Sequence, residues 1–187
     1  MPDSASPPSL LRVALAFYGC LLAAALGWAW LEGRPLLFAS AEAARRGVRP
    51  LPDAAAGAAL GLLVVLLSGW LTRRTRAGER LARALARLLG RRSAAECMAL
   101  ALASGIAEEA FFRGAMQPRL GLVATSLLFA LAHFAPHREL LPWTAFSLAA
   151  GLALGALFDA TGNLVAPVVA HAVVNAINLR LLSRDYT

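Results

Sequence analysis

Apolar residues run along this chain in long blocks, and six blocks have the length of membrane helices: about 11 to 31, 54 to 72, 94 to 113, 120 to 135, 142 to 158 and 162 to 181. A hydrocarbon core of roughly 30 Å takes about 20 helical residues at ~1.5 Å each. Between the second and third blocks the pattern changes. In RRTRAGERLARALARLLGRR, Leu81, Leu85, Leu88 and Leu89 share one helical face and Arg80, Arg83, Arg87 and Arg91 the opposite one. This periodicity predicts an amphipathic helix lying on a membrane surface. The fold class expected is therefore an all-α polytopic bundle. Residues 1 to 93 supply two spans and the surface helix, and residues 94 to 187 supply a second unit within the same membrane domain.

Composition agrees with the pattern. The 187 residues are 59% hydrophobic with a mean hydropathy of +0.62, far above a soluble domain. No signal-peptide cleavage pattern is expected, because the first block, Val13 to Leu31, is of full spanning length and lacks a small-residue cleavage site. All 18 basic residues are arginine, and the net charge is +7. Those arginines flank apolar spans, which points to lipid headgroups as their partner and away from nucleic acid. With the N terminus inside, twelve arginines face the cytoplasm and six the exterior. This bias predicts cytoplasmic N and C termini in a bacterial inner membrane. Cys20 and Cys97 are far apart in apolar stretches and are expected to be small core residues rather than a disulfide or metal pair.

The candidate chemistry consists of ionisable and amide side chains inside these spans: Glu108, Glu109 and Arg113 in the third, His133 at the end of the fourth, His171 and Asn175 in the sixth. Such residues cost about 2.5–3.5 kcal/mol each at the centre of a membrane helix, so they face a protected interior and carry function. Glu109 and Arg113 lie four apart and can neutralise each other. Glu108 points about 100° away and is the free carboxylate. Phe129 with His133, and His171 with Asn175, are also spaced by four, so each helix offers one polar edge to a shared interior. A carboxylate among imidazoles and an amide is a set that can activate water and stabilise an oxyanion. No HExxH pattern is present, so a zinc site would have to collect ligands from three helices. His137 and Asp159 are expected in loops, the pair Gly151 and Gly155 at a close helix contact, and Pro167 at a kink one turn before His171.

The three stretches EEAFFR at 108 to 113, FALAH at 129 to 133 and HAVVN at 171 to 175 resemble the EExxxR, FxxxH and HxxxN motifs of the CAAX protease and bacteriocin-processing family of glutamic intramembrane proteases, CPBP or ABI. The resemblance covers about residues 94 to 180. It implies an intramembrane endopeptidase in which Glu108 is the general base for a water that His133 also holds, a glutamic mechanism that asks for no metal or other cofactor. His171 and Asn175 would form the oxyanion hole, Glu109 and Arg113 a supporting ion pair, and the partner would be a membrane-anchored protein or peptide. A non-catalytic scaffold or immunity protein remains an alternative. A proton-coupled transporter is disfavoured, since no inverted repeat is evident.

Charge and rise together suggest a side for the site. Glu108 lies about 21 Å from Ala94, and His171 about 14 Å from Gly162. Both depths fall in the outer half. They favour a myxosortase-like sorting protease acting on exported proteins over a CAAX-type or bacteriocin-maturation enzyme with a cytoplasm-facing site. His133 disagrees, because counting from Leu120 puts it about 20 Å down from the outer end.

Overall fold

A computed structural model describes residues 10–187, so the first nine residues of the expected N-terminal unit lie outside it. The chain forms α1 (Leu10–Leu31), α2 (Ala41–Arg46), α3 (Pro50–Arg74), α4 (Arg76–Leu89), α5 (Ala94–Glu109), a π-helical segment (Ala110–Met116), α6 (Gln117–Ala132), α7 (Leu141–Thr161) and α8 (Val165–Asp185). Among the described residues five helical runs are long and apolar enough to cross a membrane. Runs of this length and hydropathy make the chain an integral membrane protein.

The expected third and fourth spans are one helical run, Ala94–Ala132, rather than two helices separated by a loop. The run nevertheless reverses. Gly121 sits at φ 78°, ψ 168°, a conformation open to glycine and costly for any residue with a Cβ. Phe112 and Phe129 would be about 25 Å apart on a straight helix. Their ring centroids are 5.1 Å apart. The outgoing arm therefore continues to residue 120, seven beyond the expected end, and residues 122–132 return as a short arm of about 16 Å.

Helix α8 is the hub, packing against α3, α5, α7 and α4, while α1 lies along α5 and the π segment. Close approach is carried by small residues. A Cβ on Gly57 would lie 2.3 Å from the Ala166 carbonyl oxygen, and one on Gly155 would lie 2.5 Å from Leu122. The expected contact at Gly151 and Gly155 is thus present, and both carbonyls also accept hydrogen bonds, from Arg113 and Gln117.

The two ends of the bundle differ. At one end residues 33–40 form a strap: Ala39 N–H donates to Gly162 O, Leu164 N–H donates to Leu37 O, and Phe38 pairs with Asn163 in an isolated antiparallel bridge. Leu36 presses on Gly114, whose Cβ would lie 2.7 Å from it. Buried Asp53 accepts from Asn163 at 2.8 Å and from Arg49 at 3.1 Å, fastening α3 to the same corner. At the other end lies α4, with Ala82, Ala86 and Leu89 buried and its arginines outward. Arg87 meets Glu139 in the 133–140 loop at 2.7 Å.

Several expectations need correction. Cys97 is buried as expected, but Cys20 is exposed, because α1 packs along one stripe and turns the rest outward. Asp159 lies in the last turn of α7 and accepts from Gln117 at 2.8 Å, so it is not a loop residue. Helix α8 starts at Val165, which puts Pro167 in its first turn. Proline there lacks only an N–H that would have had no intrahelical partner, and it gives no reason for a kink.

Candidate active site

The polar residues singled out in the sequence converge near the middle of the bundle, where α5 passes into the π segment. Helix α5 begins with a capping box between Ser93 and Glu96, and its interior positions 100, 101, 104, 105, 107, 108 and 109 are buried. A wider π turn then carries Arg113 inward, a local geometry that recurs at functional sites. Glu109 and Arg113 are 0% and 1% exposed at their side chains and meet at 3.1 Å.

The α8-facing side is heavily bonded. His171 donates its Nδ1–H to Glu109 Oε1 at 2.6 Å, the same oxygen that accepts from Arg113 Nη1. Arg113 Nη2 donates to Gly151 O at 3.1 Å, and its guanidinium carbon lies 4.5 Å from the Phe129 ring centroid. The buried guanidinium is held by a carboxylate, a carbonyl and an aromatic face. Such a buried charge is tolerable only when paired and hydrogen-bonded.

The opposite side is sparsely bonded. Glu108 Oε2 is buried and accepts no direct protein hydrogen bond. It lies 3.7 Å from His133 Nε2, beyond direct hydrogen-bond range. The other imidazole nitrogen, Nδ1, is 2.8 Å from Phe129 O. A carbonyl only accepts, so Nδ1 carries a proton, and in the neutral ring this tautomer turns a lone pair at Nε2 towards Glu108. Two acceptors facing each other across this gap can share a water that donates to both. Trp143 packs edge-on against His133 at 5.2 Å, and Phe129 lies 4.5 Å from it, so an aromatic wall limits the site. His133 is more open than Glu108, 19% exposed at its side chain against 10%.

His133 reaches Glu108 because the outgoing arm is longer than the sequence pattern suggests. Twelve residues back from Gly121 is about 18 Å, and Gly121 is about 40 Å from Ala94, so His133 falls near 22 Å, level with Glu108 at about 21 Å. The disagreement in depth thus disappears. Asn175 lies farther along α8 and donates to Ser104 Oγ at 2.8 Å, one turn before Glu108. Sequence reasoning missed Ser104, Trp143 and Tyr18. Tyr18 comes from α1, which packs along α5, and its side chain is half-buried. Among the described residues no three His, Cys, Asp or Glu side chains gather as a metal site.

Comparison with known proteins agrees with this geometry. Residues 91–177 match the family model described as Type II CAAX prenyl endopeptidase Rce1-like. The uncharacterized protein YpbD of Bacillus subtilis (strain 168) is 36% identical over 93 residues, which are 49% of this chain. The match spans about half the length of that relative, 48%. No solved structure matches. The matched segment holds every residue of the three motifs, Glu108, Glu109, Arg113, Phe129, His133, His171 and Asn175, and over that segment the chain is similar to the Rce1-like family.

Proposed function

We propose that this chain is an intramembrane endopeptidase of CAAX type that hydrolyses a peptide bond with a glutamate-activated water. The observation that carries the reading is the Glu108 Oε2 to His133 Nε2 gap of 3.7 Å between two acceptors, level in the bundle and fixed by a tautomer-setting bond to Phe129. A water donating to both presents its oxygen lone pair to a substrate carbonyl. As oxygen attacks carbon, one water proton passes to Glu108. The same proton then goes to the leaving amine when the C–N bond breaks. His171, fixed by Glu109, offers an Nε2–H to the oxyanion when it is an imidazolium, and the Glu109–Arg113 pair holds the frame.

Access favours a substrate arriving from the α4 half. The strap of residues 33–40 covers the opposite end, and the returning arm stops at Ala132 beside the exposed edge of His133. With the arginine-rich α4 on the cytoplasmic side by charge bias, this supports cytoplasmic entry and speaks against the sorting-protease reading. The test is cleavage of a synthetic peptide ending in a prenylated CAAX sequence by the purified full chain, followed by mass spectrometry. We expect loss of the last three residues, retained in EDTA. Intact peptide, or cleavage that zinc alone restores after chelation, would overturn the proposal.

A further inference from the structure

Asn175 belongs to the third motif, yet the proposed steps leave it without a task. His171 and Asn175 are four apart on α8, so their Cβ atoms stand about 5–6 Å apart on one face, near enough for a donor from each to meet on a single oxygen. Each is also anchored to α5. Glu109 Oε1 takes the Nδ1–H of His171 at 2.6 Å and leaves Nε2 for the site. Ser104 Oγ takes one N–H of Asn175 at 2.8 Å. Ser104 is 3% exposed, and its own proton goes to Ala101 O at 3.2 Å.

We infer that Ser104 is a positioning residue: it fixes which way round the Asn175 amide sits, so that the second N–H of that amide joins His171 on the oxyanion. Ser104 does for Asn175 what Glu109 does for His171. A primary amide can present either its oxygen or its nitrogen to a neighbour, and the hydrogen-bond network decides which. Here the network leaves no choice. With its proton on the Ala101 carbonyl, Ser104 Oγ can only accept, so the Asn175 nitrogen faces it and still has one N–H to give. The flipped amide would set a carbonyl oxygen against the Ser104 lone pairs or break the Ala101 bond. It would also place an acceptor where negative charge develops in the tetrahedral intermediate.

The inference rests on the proposed hydrolysis at Glu108. On the prenylated peptide, Ser104→Ala should lower kcat about tenfold, as for one lost hydrogen bond, with KM within about twofold. Ser104→Cys keeps most of the volume with a sulfur that accepts only weakly. Its kcat should fall by a similar factor while it melts as wild type does, which separates the loss of the acceptor from a loss of packing. Asn175→Ala removes the donor itself and should cost about 100-fold. Because the two losses share one cause, adding Ser104→Ala to Asn175→Ala should cost nothing more. Losses that multiply in the double variant, or wild-type kcat in Ser104→Cys, would overturn the positioning role. If Glu108→Gln keeps full activity, the proposed function fails. If it is inactive while Ser104→Cys is fully active, only the role of Ser104 fails.

Discussion

Glu109 and Glu108 are adjacent in sequence and open onto different sides of α5, about 100° apart. On the α8 side, Glu109 is fully buried and shares one oxygen between Arg113 and His171, its other oxygen being enclosed without a direct partner. On the α6 and α1 side, Glu108 keeps a buried oxygen with no direct partner, beside the most exposed imidazole of the site. The difference separates structure from reactivity. A carboxylate bonded to an arginine and an imidazole is fixed by its surroundings and holds three helices together. A carboxylate with no cation bonded to it, whose unpartnered oxygen faces the more exposed imidazole, is arranged for a molecule that comes and goes.

The strongest way to break this contrast is to remove the cation on the closed side. Arg113→Leu leaves Glu109 buried with only His171, and should cost about 3–5 kcal/mol, read as a large drop in melting temperature in detergent. A stable Arg113→Leu protein would mean that Glu109 is not held as a charge. The level of the open side depends on Gly121. Gly121→Ala meets no atom within 4 Å, so its cost is in the backbone alone, about 1–3 kcal/mol, and it should reduce cleavage by moving His133 off Glu108. Normal stability with normal activity would show that another residue sets the reversal.

The smallest expected effect lies at the strapped end, outside the spans. Glu32 accepts from the Trp28 indole at 2.9 Å, from Arg34 at 3.0 Å and from Arg119 at 2.8 Å. These bonds, the indole first, hold its carboxyl below the usual glutamate range. A depressed folded-state value adds stability above the unfolded carboxylate's pKa, and that stability is lost as pH falls through the lower value. Wild type should therefore melt slightly higher than Glu32→Gln near neutral pH, and the two should converge in acid. Divergence in acid would reverse the sign.

Much of this was legible in the sequence. The apolar blocks and the spacing of four between Glu109 and Arg113 were enough for the helices and the closed side, because periodicity and local pairing act within one element. The levelling of His133 with Glu108 was not, because nothing in the pattern shows that helix continues through residues 114–120 before Gly121 turns it. Tyr18 was hidden for a different reason. A lone tyrosine in an apolar helix looks like a membrane residue until the packing of α1 on α5 is known. The strap of residues 33–40 was equally hidden, since its partners are backbone groups of Gly162 and Leu164, which carry no side-chain signature.

The central claim is that Glu108 is reactive and Glu109 structural, and one substitution measured twice tests it. Glu108→Gln keeps the shape of the side chain and removes its capacity to take a proton. Peptide cleavage and melting temperature are measured on the same purified sample. The account predicts at least about a 100-fold loss of turnover with a melting temperature at or above that of wild type. Turnover near the wild-type value, or a collapse in stability matching that of Arg113→Leu, would contradict it.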